Sequence, residues 1–326
     1  MKLETKIVDW PLRQPFKIAR DTWTSIKCIQ VTLTDALGNV GWGEAVGVDY
    51  AGETPATMLA QIEAVRPRID ASLTLATLQP LLPAGGARNA LDCALWDLLA
   101  KRSGVPAWKS AGLKRFEPVA TSFTFGMMDE AQLRASARNH AHFPLLKVKT
   151  DREHGLEPAR VVHEEAPKAR LILDANSSWG EAELRKYAAE LEPLNVVLLE
   201  QPVDPHDDEV LRRVALPVPV AADEAFADRG SIAALAGKYQ VLNIKLDKTG
   251  GLTEALACAQ AGLEQGYRLM VGCMVGSSLS MAPGVVVAQL CDYVDLDGPL
   301  LQSRDVAHAL EYRDGRVGTP TPELWG

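Results

Sequence analysis

Five apolar segments in the middle of the chain each end in a charged residue. They span residues 145–149, 171–174, 197–200, 219–223 and 241–245. The charged residues at their ends lie 25, 26, 23 and 22 residues apart, and each interval can hold one strand, a loop, a helix-length segment and a return loop. The pattern therefore predicts consecutive βα units whose strands each present a charged side chain at the carboxyl end.

The segment 145–149 shows how such a strand places its side chains. Because side chains alternate across a strand, Lys147 and Lys149 share one face and Val148 lies on the other. Taken alone, this pattern is also typical of an exposed strand in an antiparallel sheet with one wet face. The recurrence of charged strand ends downstream weighs against that alternative.

Other segments complete the predicted set of elements. Residues 2–50 alternate as in an antiparallel meander, and helical spacing appears near 55–69 and 87–102. Three further strands are expected at residues 119–126, 268–272 and 293–297. The chain therefore combines an α+β region with a region in which strands and helices alternate.

We predict an α/β protein: a (β/α)8-type (modified TIM) barrel with an N-terminal α+β capping domain. The expected boundaries are 1–115 for the capping domain, 116–299 for the catalytic barrel and 300–326 for a tail that packs back on the cap. An open doubly wound sheet has a similar periodicity, but it concentrates its site at one switch point. Charged ends on consecutive strands favour the barrel, because its strand ends ring one mouth.

Composition narrows the class of protein without identifying it. The chain of 326 residues has a formal net charge of −8, which argues against a nucleic-acid partner because phosphate binding needs a clustered basic face. Its five cysteines form no CxxC pair, as suits a reducing compartment. The first residues lack the apolar core of a secretion signal, and no run reaches the ~20 apolar residues of a membrane span. We expect a cytoplasmic protein without a membrane partner.

Three of the charged strand ends are carboxylates that could bind a metal ion. Asp174, Glu200 and Asp223 would lie on neighbouring strands, and hard oxygen ligands favour Mg²⁺, with Mn²⁺ as the alternative. Each carboxylate could instead cap the helix that follows its strand. Three anions that converge without a cation would repel one another strongly, so their recurrence favours the metal site.

The two lysines at the ends of this row of carboxylates suggest the chemistry. Lys149 and Lys245 would lie on opposite sides of whatever binds the metal. Such a site suits removal of a proton next to a carboxylate, with the metal and Lys147 stabilising the resulting ene-diolate. A base on each face of the substrate implies inversion at carbon.

Five motifs together resemble the enolase superfamily, muconate-lactonising subgroup. The motifs are Lys147-Val148-Lys149, Asp174-Ala175-Asn176, Glu200-Gln201-Pro202, Ala222-Asp223-Glu224 and Asn243-Ile244-Lys245-Leu246-Asp247-Lys248-Thr249-Gly250-Gly251. Within that subgroup, Asp295-Leu296-Asp297 resembles the Asp-x-Asp signature of dipeptide epimerases. Residues 87–97 and 269–274 are also similar to bacterial L-Ala-D/L-Glu epimerases.

The resemblance implies a set of roles for the metal and the acid and base groups. It implies Mg²⁺ on Asp174, Glu200 and Asp223, with Lys149 and Lys245 as the acid and base pair. The expected partner is a small dipeptide, with L-Ala-L-Glu as the leading candidate and recycling of murein peptides as the family-level setting. The oligomeric state stays open, a homo-oligomer included.

The resemblance also implies residues that bind the substrate. Asp295 and Asp297 would bind the free α-ammonium of the dipeptide, although Asp297 could simply form the turn before Gly-Pro. Thr124 matches a position that contacts substrate, and is otherwise an ordinary strand threonine. Arg20 matches a loop arginine that reaches the glutamate side-chain carboxylate, and is otherwise a solvated surface residue.

Two other functions remain compatible with the sequence. One is β-elimination or cycloisomerisation, as in o-succinylbenzoate synthase or muconate lactonisation, whose substrates carry no ammonium group. The other is a barrel that binds metabolites without turnover. The aspartates Asp295 and Asp297 distinguish the first alternative, and the lysines Lys149 and Lys245 distinguish the second.

Overall fold

The amino-terminal part of the chain forms a three-stranded antiparallel sheet with helices packed against it. The computed structural model describes residues 1–19 and 21–326. In it, β1 (Lys2–Lys17), β2 (Thr22–Thr34) and β3 (Val40–Ala45) are neighbours in that order. The helices of this part are α1 (Pro55–Val65), α2 (Leu75–Leu78), α3 (Gly86–Ser103) and α4 (Ala107–Ser110).

Helix α3 lies directly on the backbone of β3. A Cβ atom on Gly43 would come within 2.1 Å of the Ala90 carbonyl oxygen, and one on Gly41 within 2.2 Å of that of Ala94. Glycine at these two alternate positions therefore permits the close approach of strand and helix. The helix buries small and branched apolar residues against the sheet, among them Leu91.

Residues 119–126 form two elements, so the prediction of one continuous strand there is wrong. Strand β4 (Val119–Ala120) pairs antiparallel with Arg316–Val317 near the end of the chain, whereas β5 (Phe123–Phe125) is the first strand of the barrel. Backbone hydrogen bonds at Thr121 and Ser122 go to different partners, the carbonyl oxygens of Gly315 and Val294. The chain therefore changes sheets between the two short strands.

Eight parallel strands form the barrel, which confirms the predicted fold class. After β5 they are β6 (Leu145–Lys149), β7 (Arg170–Asp174), β8 (Val196–Glu200), β9 (Val220–Ala222), β10 (Val241–Ile244), β11 (Arg268–Val271) and β12 (Tyr293–Val294). Each strand neighbours the next in sequence. The Ser122 amide donates a 2.9 Å hydrogen bond to the Val294 carbonyl oxygen and so joins the first strand region to the last.

Helices follow most of the barrel strands. They are α5 (Glu130–His140), α6 (Glu157–Glu165), α7 (Glu181–Leu191), α8 (Ile232–Leu235), α9 (Leu246–Thr249), α10 (Leu252–Glu264), α11 (Ser278–Ala288) and α12 (Gly298–Leu301). The segment after β8 instead carries a 3-10 helix at Asp208–Arg212. Within the described residues, no helix combines the length and apolar character needed to cross a membrane.

The interior of the barrel changes from apolar to charged along its axis. Its floor is a separate apolar cluster of Leu145, Ile172, Leu198, Ala221, Val241, Met270 and Tyr293. Because side chains alternate, the residue two positions further along each strand also faces the interior. Those residues include Lys147, Asp174, Glu200, Asp223, Asn243 and Asp295. The strand period therefore places the polar groups together above the floor, toward the carboxyl-terminal mouth.

The end of the chain contacts both the barrel and the amino-terminal part. Strands β13 (Tyr312–Arg313) and β14 (Arg316–Val317) form a hairpin that pairs with β4. Further on, the Trp325 indole N–H donates to the Cys93 carbonyl oxygen at 3.0 Å, and the Gly326 amide donates to Asp97 Oδ1 at 2.7 Å. These contacts fasten the tail to helix α3.

Candidate active site

Three buried carboxylates lie on adjacent strands at the barrel mouth. Asp174 and Glu200 are the last residues of β7 and β8, and Asp223 follows β9 directly. Asp174 pairs with Lys149 on one side of its strand and with Glu200 on the other. The structure therefore brings together the three residues that the sequence suggests as metal ligands, and all three are buried.

Lysine ammonium groups neutralise these carboxylates in the structure as it stands. Lys147 Nζ lies 2.8 Å from Glu200 Oε2, 2.9 Å from Asp295 Oδ2 and 3.1 Å from Asp174 Oδ2. Lys149 Nζ lies 2.6 Å from Asp174 Oδ2. Burial raises the pKa of Asp174, but the ammonium groups of Lys149 and Lys147 outweigh it and hold that pKa below its ordinary value.

Glu200 retains a surplus of negative charge around it. Burial, followed by the charge of Asp174, holds the pKa of Glu200 above its ordinary value. Its Oε2 lies near Lys147 Nζ but takes part in no well-directed hydrogen bond within the described part of the chain. A buried carboxylate oxygen in this state is a fitting ligand for a hard cation.

The three carboxylates can bind a divalent cation only if the lysine ammonium groups move partly out of the space between them. Within residues 1–19 and 21–326, no three acidic, histidine or cysteine side chains are arranged closely enough to hold a metal as they stand. Lys147 Nζ contacts two of the three carboxylates and so occupies the region between them. Mg²⁺ bound by Asp174, Glu200 and Asp223 would take over much of this neutralisation.

The two candidate acid and base residues lie across the barrel from each other. Lys149 ends β6, and Lys245 follows β10 directly. These strands are four positions apart in a sheet of eight, which is half of the circumference. The Lys245 ammonium lies 2.8 Å from Asp223 Oδ2. Burial lowers its pKa, but the Asp223 charge outweighs burial and raises it above the ordinary value, so Lys245 is protonated here.

Asp295 likewise lies across the barrel from the three candidate metal ligands. It follows β12, which is four strands from β8 and Glu200. Its Oδ1 accepts hydrogen bonds from Ser122 Oγ at 2.6 Å and Thr124 Oγ1 at 3.1 Å, and its Oδ2 accepts one from Lys147 Nζ at 2.9 Å. The side chain is therefore fixed in place before any substrate arrives.

Asp297 completes an acidic pair with Asp295, although not on a strand as predicted. Strand β12 ends at Val294, because the chain turns toward Gly298-Pro299 and the start of α12. The Thr124 amide donates to Asp297 Oδ2 at 2.5 Å. Burial and the nearby Asp295 charge raise the pKa of Asp297 to about 7, so the pair has room for a further positive charge.

The structure describes only one of the two other predicted substrate residues, Thr124 and Arg20. Thr124 lies in β5 and contacts both aspartates of the pair, through its hydroxyl and its amide. Its contact with substrate stays a prediction. Arg20 lies outside the described residues, so its proposed role also stays a prediction.

A cavity of about 340 Å³ opens between the amino-terminal part and the barrel mouth. Lys149, Lys245 and Asp223 line its inner end. The outer wall is largely apolar and aromatic, and consists of Phe16, Ile18, Trp23, Tyr50, Met274 and Val275 among others. The cavity therefore places a small molecule against the lysines while the cap covers part of it.

The sequence interpretation missed several residues that complete the site. Lys248 Nζ donates to Asp223 Oδ1 at 2.7 Å and to the Asp223 carbonyl oxygen at 2.6 Å. Asn243 Nδ2 donates to Glu200 Oε1 at 3.0 Å. Asn243 lies in β10, two positions before Lys245, which follows that strand, so alternation alone indicates it. Lys248 lies on helix α9, and no strand pattern indicates that it turns back to the site.

Two family models match the chain over most of its length. The model described as "Mandelate racemase / muconate lactonizing enzyme, N-terminal domain" matches residues 2–112. The model described as "Enolase C-terminal domain-like" matches residues 127–323. The first match covers the sheet and helices of the cap, and the second covers the barrel strands from β6 to β12.

Known proteins are similar over nearly the whole chain. The L-Ala-D/L-Glu epimerase of Escherichia coli K12 is 40% identical over 94% of this chain and 96% of its own. An enolase family member from Agrobacterium tumefaciens, solved with sodium and L-Ala-L-Glu, is 39% identical with a TM-score of 0.97, covering 99% of both chains. A Methylococcus capsulatus dipeptide epimerase, solved with Mg and L-Arg-D-Lys, is 30% identical with a TM-score of 0.88, covering 99% of this chain and 98% of its own.

Replacing Lys147 with methionine should make stability depend on Mg²⁺. Lys147→Met leaves Asp174, Glu200 and Asp295 without the ammonium that they share. Breaking a buried ion pair costs about 3–5 kcal/mol of folding free energy. Urea unfolding in EDTA should show this loss, and Mg²⁺ should recover most of it. The control Lys238→Met breaks a buried 2.6 Å pair with Asp208 away from the carboxylates. Equal recovery in both variants, or in neither, would contradict the assignment.

Proposed function

The chain belongs to the mandelate racemase/muconate lactonizing enzyme family of the enolase superfamily, and on that premise we propose that it is a metal-dependent dipeptide epimerase. The reaction inverts the α-carbon of the C-terminal residue of a small dipeptide. One observation carries the proposal: Lys149 and Lys245 face each other across half of the barrel circumference. The carboxylates lie to one side of that line, and the aspartate pair lies to the other.

The carboxylates and Lys147 account for the increased acidity of the α-proton. Asp174, Glu200 and Asp223 would hold Mg²⁺, which supplies positive charge for the substrate carboxylate when bound. Lys147 keeps a second positive charge between Glu200 and Asp295. Lys147, together with a bound ion, would stabilise the negative charge that develops on the substrate when the α-proton leaves.

Inversion follows from the opposed lysines. In one direction, Lys149 takes the α-proton after its ammonium has lost a proton to solvent, while protonated Lys245 returns a proton to the other face. In the reverse direction the roles exchange. The Lys245 ammonium beside Asp223 is already in the donor form. The number of protons on the pair is the same before and after each turnover.

The aspartate pair accounts for preference for a free amino terminus. Asp295 and Asp297 are buried together, and Thr124 holds both through hydrogen bonds. An α-ammonium between them would relieve the excess negative charge that raises the pKa of Asp297. L-Ala-L-Glu remains the leading substrate, with Arg20 as the proposed partner of its side-chain carboxylate. A cytoplasmic location and recycling of murein peptides stay predictions.

Removing either lysine should separate exchange from inversion. Lys149→Ala and Lys245→Ala should each abolish epimerisation of L-Ala-L-Glu, because one face of the α-carbon loses its acid or base. Each variant should still exchange the α-proton of one epimer in deuterated water, since the other lysine remains. Proton NMR with Mg²⁺ measures both, and exposed Lys168→Ala serves as the control. If a variant exchanges both epimers at the wild-type rate, the assignment of two bases fails.

Neutralising the aspartate pair should distinguish epimerisation from the other family reactions. Asp295→Asn and Asp297→Asn should raise KM for L-Ala-L-Glu at least tenfold, because an amide no longer balances the α-ammonium and charged hydrogen bonds are worth about 1.5–3 kcal/mol. Steady-state assays would measure this change. Substrates of β-elimination or cycloisomerisation carry no ammonium, so turnover of o-succinylbenzoate precursors or muconate by wild type and both variants alike would favour that alternative.

A further inference from the structure

Gln201 has an unusual backbone next to a candidate metal ligand. It follows Glu200 at the end of β8, is fully buried, and has a φ angle of +32°. Residues other than glycine rarely adopt positive φ angles, and such a conformation persists only where surrounding contacts hold it. The contacts of the Gln201 side chain should therefore show which part of the structure this backbone conformation supports.

All hydrogen-bonding capacity of the Gln201 side-chain amide is used. Its Oε1 accepts from the backbone amides of Asp223 at 2.9 Å and Ala225 at 3.0 Å. Its Nε2 donates to the Val203 carbonyl oxygen at 2.9 Å and to the Tyr239 hydroxyl at 3.0 Å. An amide oxygen with two donors and an amide nitrogen with two acceptors form a fully satisfied bridge.

This bridge joins two ligand-bearing strands beyond the point where their backbone pairing ends. Strands β8 and β9 pair at Leu199 with Val220 and at Glu200 with Ala221. Asp223 lies after the last paired residue of β9, and its amide is bound by the Gln201 side chain. The position of the Asp223 carboxylate relative to that of Glu200 therefore depends on a side chain as well as on the sheet.

We infer that Gln201 is a positioning residue that fixes the spacing between the Glu200 and Asp223 carboxylates and thereby sets the affinity of the site for Mg²⁺. This inference rests on the proposed function, because it takes those carboxylates as metal ligands. A glutamine that only satisfied buried polar groups would affect stability alone. One that sets ligand spacing also affects binding of the ion.

Calorimetric titration of the folded protein with Mg²⁺, without substrate, tests the inference. Gln201→Ala should weaken Mg²⁺ binding by about 10–100-fold, the usual effect of removing a group that orients metal ligands. The matched control is Gln240→Ala. Gln240 Oε1 accepts from the Val220 amide at 2.9 Å, at the opposite end of the same strand β9. This control should bind Mg²⁺ within twofold of wild type.

A milder variant keeps the test decisive if Gln201→Ala does not fold. Tyr239→Phe removes one acceptor of the Gln201 amide and leaves the carboxylates untouched. It should weaken Mg²⁺ binding about two- to tenfold, the equivalent of one hydrogen bond. Excess Mg²⁺ should restore epimerase activity in this variant, which a general loss of structure would not allow.

The outcomes separate this inference from the function on which it rests. If folded Gln201→Ala, or Tyr239→Phe in its place, binds Mg²⁺ as wild type does, the positioning role is wrong. It is also wrong if Gln240→Ala weakens binding equally. If wild-type protein binds no Mg²⁺, the proposed metal site itself fails, and the inference fails with it.

Discussion

The structure depends on neutralising acidic side chains buried in the mouth of the barrel. Asp174, Glu200 and Asp223 converge on one side, and Asp295 and Asp297 on the other. Like charges a few ångströms apart repel strongly where water is excluded. The barrel can close around them only because cations share the space. The same cations are the ones that the proposed reaction uses, so stability and catalysis depend on one set of charges.

The arrangement of these charges follows from two features of the fold, which are the period of the side chains along a strand and the number of strands in the barrel. Side chains alternate with a period of two along a strand, which stacks polar residues above the apolar floor. Eight strands make residues four strands apart face each other, which opposes Lys149 to Lys245 and Glu200 to Asp295. These two lines cross near the barrel axis. A small molecule there would meet an ammonium on each face, the carboxylates that could hold a metal ion at one end and the aspartate pair at the other.

Much of this site could be predicted from the sequence because strand ends carry it. Asp174, Glu200 and Lys149 occupy the ends of apolar strands, and alternation fixes which face they share. Groups held by helices or irregular backbone left no such pattern. Lys248 reaches Asp223 from helix α9, and Gln201 acts from a backbone with positive φ. The split of residues 119–126 depends on pairing with Arg316–Val317, almost 200 residues away, which no local pattern reveals.

Inversion by this site requires Lys149 and Lys245 to lie on opposite faces of the substrate, and a crystal structure with Mg²⁺ and a dipeptide would show whether they do. The dipeptide should place its C-terminal α-carbon between Lys149 Nζ and Lys245 Nζ, with each nitrogen within about 3–3.5 Å of the atom it reacts with. Its carboxylate should face the ion on Asp174, Glu200 and Asp223. A complex in which both nitrogens lie on the same side of the α-carbon would contradict the mechanism with two opposed lysines.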